Sequence, residues 1–174
     1  MKELEDIGRF DEIEEILRSL PGPDKEAEAA ALARQAKLTK PQGALGRLEE
    51  LALWAACWQG RAMPSADRSY TAVFVANHGV AARGVSAYPA EVTKQMLDNF
   101  IAGGAAVNQI CGMQDSDLRV YEMALELPTA DFTQEPAMTE EDCVRAMAYG
   151  MMAVEDGVDL LCVAAIGAGT RISA

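Results

Sequence analysis

Two short clusters carry the residue types best suited to acting on a small molecule. The first is Asn77-His78-Gly79, a polar bend placed directly after the apolar run Thr71–Ala76. His78, the chain's one histidine, offers a general base or a donor that orients a ligand. At the end of a strand it serves equally well as a structural hydrogen-bonding residue. The second cluster is Tyr88-Pro89, an aromatic side chain ahead of a rigid bend. It suits one wall of a planar ligand's pocket, or simple packing onto the next helix. A serine–histidine hydrolase would have to use His78 with Ser86, but no G-x-S-x-G elbow surrounds that serine. Glu91 and Asp98 fall on one helical face about two turns apart, with nothing to mark them as an acid/base pair.

The elements that must position these groups follow from the pattern of apolar residues. Thr71–Ala76 is short, apolar and rich in β-branched residues, and reads as a buried strand. After a small-residue loop, Ala90 to Ile101 has helical spacing, and a further helix is expected to open at Gly103-Gly104. Leu118–Ala124 alternates as a second strand. Thr139 to Asp142 resembles a capping box for a helix through Met147, Met151 and Val154, whose methionines read as core filler. Asp159–Ile166 is a third strand, expected from its composition to be buried on both faces. It runs into Gly167-Ala168-Gly169-Thr170, where backbone N–H groups would face an anion if a helix began next. The sequence stops at Ala174 before any helix can be seen.

Strand, bend, loop and helix in this order predict an α/β protein with its ligand site at the carboxyl ends of the strands. The expected fold is a Rossmann-like three-layer sandwich with a mostly parallel sheet, preceded by an N-terminal helical segment. The helical segment is assigned to residues 1–68 and the α/β core to residues 69–174. Within the first part, Pro21-Gly22-Pro23 splits two helices, and Asp24 is the expected N-cap of the second. Beyond the turn Lys40–Gly46, Leu45, Leu48, Leu51, Leu53, Trp54 and Trp58 begin a packing helix with an apolar stripe.

Composition narrows the partners. The 174 residues suffice for one domain with a core, and half of them are hydrophobic. A net charge of −12 argues against nucleic acid and anionic membranes, both of which need a basic face. The acidic run near the start reads as a solvated helix face. The four cysteines, Cys57, Cys111, Cys143 and Cys162, form no C-x-x-C pair and are expected to be reduced core thiols in a cytoplasmic protein. A zinc site is not expected from one histidine and scattered thiols, and no apolar run approaches the ~20 residues of a membrane span.

Three separated segments together carry a family resemblance. They are Lys40–Glu49, then Asn77–Val80 with Gly84–Pro89 and Val92-Thr93, then Phe100–Asn108. In order and spacing the chain resembles the nicotinate-nucleotide–dimethylbenzimidazole phosphoribosyltransferases, over most of residues 23 to 174. The resemblance implies transfer of 5-phosphoribose from nicotinate mononucleotide to 5,6-dimethylbenzimidazole. The products would be α-ribazole 5′-phosphate, for the lower loop of cobalamin, and nicotinate. It implies no cofactor and no metal, and a homodimer as the usual state.

Carried over by position, Tyr88 and Pro89 would line the benzimidazole pocket, with Met96 further along the helix wall. Asn77 and His78 fill a turn where many relatives have aspartate before the histidine. The family's glycine-rich loop falls on Ala165 to Ile172 and would contact both substrates. Gly167 and Gly169 keep its pattern. Ala165 stands where the family has glutamate, Thr170 where it has asparagine, and Arg171 and Ile172 where it has threonines. Arg171 offers a phosphate partner in compensation. The family's catalytic base is expected beyond residue 174, so the α/β core is expected to be incomplete at its C-terminal end. Two other readings stand beside this one. One is a non-catalytic protein that binds an azole or nucleotide; the other is an oligomerisation module built on an uncovered sheet edge.

Overall fold

A computed structural model describes residues 7–173. Its contacts group the chain into two compact units, residues 17–68 and residues 1–16 together with 69–174.

In the 17–68 unit, α2 (Lys25–Gln35) and α3 (Arg47–Gln59) pack on each other. Asp24 caps α2 as its sequence suggests, its carboxylate accepting the N–H groups of Glu26 and Ala27 at 2.9 Å. The packed face of this pair is made of small residues, with Ala27, Ala31, Ala56 and Cys57 all buried. The larger stripe of α3 was expected to do the packing, yet Leu48, Leu51, Trp54 and Trp58 are all exposed, the tryptophans by 53% and 56%. Side chains ending at Cβ let two helices approach closely, so the alanine faces win the contact. Lys40 and Glu49 tie the intervening turn to α3 through an ion pair at 2.6 Å.

The other unit holds a three-stranded parallel sheet in the order β2-β1-β3. The strands are β1 (Ser69–Val75), β2 (Asp117–Glu122) and β3 (Leu160–Ile166). Between β1 and β2 come α4 (Glu91–Ile101) and α5 (Ala106–Met113), and between β2 and β3 comes α6 (Glu140–Met152). The first connection steps to one side of β1 and the second steps back past it. Because about 98% of parallel crossovers are right-handed, such a reversal places the two sets of helices on opposite faces. The side chains agree. Val73 and Val75 join Leu97 and Phe100 of α4 in one cluster, and Thr71 meets Cys111 of α5. On the other face Phe74 stacks on Tyr121, whose ring meets Tyr149 of α6 edge-on. There Tyr70 donates its hydroxyl proton to the Ala153 carbonyl, and burial pushes the phenol up to about 12, so that proton is retained. The chain is thus α/β with a parallel sheet and helices before it.

The boundaries of these elements shift slightly from the sequence pattern. α5 starts at Ala106 rather than at Gly103-Gly104, because Gly103 adopts a left-handed turn (φ 78°) after α4. The Thr139 hydroxyl accepts the Asp142 N–H and donates to the Asp142 carboxylate, capping α6. α1 (Phe10–Ser19) sends Ile13 against Val144 and Ala148 of α6, with Met151 beside them.

β3 departs from expectation. Its composition suggested burial on both faces, but Cys162, Val163, Ala164 and Ala165 are exposed, Val163 by 67%. Register explains this. Cys162 and Ala164 lie beside Thr71 and Val73 on the α4–α5 face, Val163 and Ala165 beside Ala72 and Phe74 on the α6 face. β3 is an edge strand, and the helices cover β1 and β2 without extending over it. Cys162 is therefore an exposed thiol rather than a core one.

At the carboxyl edge, β1 and β3 come unusually close. A Cβ on Gly167 (φ 144°) would lie 1.6 Å from the Ala76 carbonyl oxygen. Gly167→Ala must therefore displace one of the two strand ends. The expected loss is about 3 kcal/mol, at the upper end of overpacking costs, read as a lower urea midpoint by far-ultraviolet circular dichroism. An unchanged midpoint would show that the strand ends separate freely.

Candidate functional site

The reversal of strand order between β1 and β3 is the point at which open α/β sheets offer a crevice. A cleft of about 310 Å³ lies there. One wall is the loop and first turns of α4: Ser86, Tyr88, Pro89, Val92, Thr93 and Met96. The other is the end of β3 and the loop after it: Ala165, Ile166, Gly167, Ala168, Thr170 and Arg171. Of the residues singled out in the sequence, Tyr88, Pro89, Met96, Ala165, Gly167, Thr170 and Arg171 line this one cavity.

Asn77, His78 and Gly169 do not line it; they build the floor that shapes the loop. A Cβ on Gly169 (φ 87°) would meet His78 Cβ at 3.2 Å and Val80 Cγ1 at 3.1 Å. The His78 backbone N–H donates to the Ala168 carbonyl at 3.2 Å. Asn77 donates to the Leu125 carbonyl at 3.4 Å, while its Oδ1 is buried without a partner. Beyond the bend, Gly79 leaves no room for a side chain, since a Cβ would lie 2.5 Å from the Thr129 carbonyl oxygen. Arg83 and Asp131 then pair at 2.6 Å, tying the 3₁₀ turn Gly79–Arg83 to the loop after β2. That guanidinium holds the Asp131 carboxyl below the usual range. Glu91 and Asp98 form no pair; Asp98 binds Lys94 at 2.6 Å.

Thr93 is the residue that sequence reasoning missed as a site element. Its side chain is 2% exposed, and its hydroxyl accepts the Ala168 N–H at 3.1 Å. Ala168 is thus held at both its backbone groups, its carbonyl by His78 and its N–H by α4. A threonine among apolar neighbours on the packed face of a helix is the signal that was available.

Part of the loop's backbone is already bonded. The Ala168 N–H goes to Thr93, that of Thr170 to the Gly167 carbonyl at 3.2 Å, and those of Ile172 and Ser173 to Gly169. A single turn, α7 (Thr170–Ser173), follows. The side chains add their own chemistry. The Thr170 hydroxyl oxygen is buried without a partner, and Arg171 carries no ion pair among the described residues. The lining otherwise consists of Ser86, Thr93, the exposed Tyr88 ring and apolar groups, and contains no carboxylate. Such a cleft can stack and enclose a flat ring and bond its polar edge. Among the described residues no group of three or more His, Cys, Asp or Glu could hold a metal ion, and no helix is long and apolar enough to cross a membrane.

Two outcomes are expected. Thr93→Val strands the Ala168 N–H and should cost about 1–3 kcal/mol, whereas Thr93→Ser should recover most of it; chemical denaturation of the three proteins checks this. Burial holds the His78 imidazole below its ordinary value. The unfolded chain therefore binds the extra proton first, and stability is full above the unfolded value and falls as pH drops through the folded one. Denaturation midpoints from pH 7.5 to 5 should decline more steeply for the native chain than for His78→Gln. Parallel declines would place the imidazole in solvent.

Comparison with known proteins agrees with this architecture. The phosphoribosyltransferase family model designated DBI_PRT matches residues 20–174. The nicotinate-nucleotide–dimethylbenzimidazole phosphoribosyltransferase of Rhizobium meliloti (strain 1021) is 54% identical over 166 residues, covering 95% of this chain and 49% of that protein. The enzyme of the same name from Agrobacterium fabrum is 53% identical over 166 residues, covering 95% of this chain and 48% of that protein. A crystal structure of the Thermus thermophilus enzyme superposes with a TM-score of 0.75 at 42% identity, over 84% of this chain and 50% of that one. The chain spans about half the length of the curated relatives it matches. With a family model matching residues 20–174, relatives more than 50% identical over 95% of the chain and a solved structure superposing on 84% of it, this chain belongs to the nicotinate-nucleotide–dimethylbenzimidazole phosphoribosyltransferase family.

Proposed function

We propose that the cleft between α4 and the Gly167 loop is the ring-binding part of a site for phosphoribosyl transfer. The donor is nicotinate mononucleotide, the acceptor 5,6-dimethylbenzimidazole, and the product α-ribazole 5′-phosphate. One observation carries the reading: Tyr88, Pro89 and Met96 share a single cavity with Gly167, Thr170 and Arg171 in a chain 54% identical to an enzyme of that name. In the transfer, the bond from the anomeric carbon to the pyridinium nitrogen breaks as the bond to a benzimidazole nitrogen forms. Nicotinate leaves with the bonding pair, which neutralises its ring nitrogen, and a base takes the benzimidazole ring proton. Holding two flat rings about one sugar supplies much of the acceleration.

The cleft lining favours ring binding over complete catalysis, because no carboxylate lies on it to act as the base. A non-catalytic ring-binding protein is the second reading, and it rests on the same observation. We further infer a homodimer acting in the cytoplasm; the uncovered β3 edge supports pairing with another chain.

Incubation with nicotinate mononucleotide and dimethylbenzimidazole, followed by chromatography, is expected to yield negligible α-ribazole 5′-phosphate. Calorimetric titration of the same protein is expected to show dimethylbenzimidazole binding. Robust turnover would overturn the claim that a base is lacking. A folded chain that binds neither compound would remove the ring-binding reading.

A further inference from the structure

The outer face of α5 holds large apolar side chains in open solvent. Ala106, Gln109, Ile110 and Met113 recur at the three- and four-residue spacing of one helix face, and all four are exposed. Ile110 is 61% exposed, Met113 80%, and Ile101 at the end of α4 73%. The inner face is fixed, with Cys111 buried and its Sγ 3.6 Å from Thr71 Oγ1. Asn108 donates to the Phe100 carbonyl and Gln109 to the Gly103 carbonyl, each at 3.0 Å, so the corner between α4 and α5 is held as one piece. Charge is absent as well. In a chain carrying −12, no Asp, Glu, Lys or Arg occurs from residue 99 to residue 114. Among the α-helices of the described residues, only α5 has neither an acidic residue in its first turn nor a basic one in its last.

We propose that a second copy of the chain docks on this face, by antiparallel pairing of α5 with its own copy across a two-fold axis between Gln109 and Ile110. The inference rests on the homodimer reading above and names the surface it uses. Charge selects the occupant. Two copies at −12 repel wherever their acidic surfaces meet, so they approach best through a face without charge. A basic partner would be drawn to the acidic surface instead. A two-fold contact is self-complementary, each residue meeting its counterpart in both directions. With the axis at residues 109 and 110, Met113 meets Ala106 of the second copy, a long side chain over a short one, and Ile110 meets Gln109. Asp115, just past the helix, comes to the amino end of the copy's α5, where the helix dipole favours an anion. The antiparallel arrangement also sets each end of α5 beside an end of opposite partial charge, which the sequence does not supply there. The β3 edge offers less, since Val163 is the one large apolar side chain exposed along Leu160–Ile166.

The test is sedimentation velocity over a wide range of concentrations on the native chain, Ala106→Glu, Met113→Lys, the variant carrying both, and Val163→Glu. The first two place an acid in the first turn of α5 and a base in its last, where each suits the helix dipole, and circular dichroism checks that every variant folds. The native chain is expected to dimerise. Ala106→Glu and Met113→Lys should each weaken the dimer by at least about tenfold, because each puts an unpaired charge into the contact. The double variant sets opposite charges face to face on both sides of the axis. It should dimerise more tightly than either single variant, and its dimer should loosen as salt is raised. Val163→Glu should leave the native dimer unchanged. A dimer indifferent to Ala106→Glu and Met113→Lys but lost in Val163→Glu would overturn the proposal and leave the homodimer standing through β3. A double variant no tighter than the single ones would overturn the antiparallel pairing, and the proposal with it. A native chain that stays monomeric at every concentration would overturn both the docking face and the homodimer reading, without touching ring binding in the cleft.

Discussion

The missing side chain at position 167 sets the geometry of this protein. The β3 chain passes so near the Ala76 carbonyl that a methyl group would overlap it. The two chains stay together past the strand ends, with the His78 N–H bonded to the Ala168 carbonyl and Gly169 packed against His78. One goes into the Asn77-His78-Gly79 bend and the other into the turn at Gly169. The crevice lies between this paired segment and the start of α4, and the bonds from His78 N–H to Ala168 and from Ala168 N–H to Thr93 fix its wall. The cavity is therefore a product of backbone contacts, with the side chains that face it added on a fixed frame. Preorganisation of this kind lowers the ordering cost a ligand would otherwise meet.

Much of this frame was legible in the sequence because local patterns decide it. All three strands, the helix after Tyr88-Pro89 and the cap at Asp24 follow from apolar periodicity and short polar signals that act within a few residues. The gathering of Tyr88 with Gly167 was legible only through resemblance, since nothing local links residues so far apart. Burial was the harder property. Leu161, Val163 and Ile166 read as an interior strand by composition, but a strand's cover depends on where its helices fall, which the topology decides. The same holds for α3, where Ala56 rather than Trp54 faces the partner helix. Thr93 was legible only as part of a family segment, because a hydroxyl on a packed helix face has no distinctive spacing; the Ala168 amide beside it reveals its task.

The sheet is unevenly supported. β1 is flanked by ladders on both sides and buried from Tyr70 to Val75 apart from its half-buried Thr71 and Phe74. Burying a Val side chain fully is worth about 1.5–3 kcal/mol, so Val73 and Val75 anchor the unit. β3 has one ladder and little cover, and only its final residue, Ile166, joins the core around Leu97. The carboxyl end of β3 is thus its best-held part, and it is the end that carries the cleft loop. Structural support and proposed function coincide there.

Both tryptophans of the chain sit on the outward stripe of α3, roughly half in water. Intrinsic indole emission will accordingly report the surroundings of one helix in the 17–68 unit, starting from a solvent-shifted spectrum even in the native state. Melting of the parallel sheet has to be watched through its own chromophores, the packed Phe74, Tyr121 and Tyr149 rings, whose near-ultraviolet dichroism belongs to the other unit. Following the two signals side by side turns an accident of aromatic placement into separate optical channels for the chain's two parts.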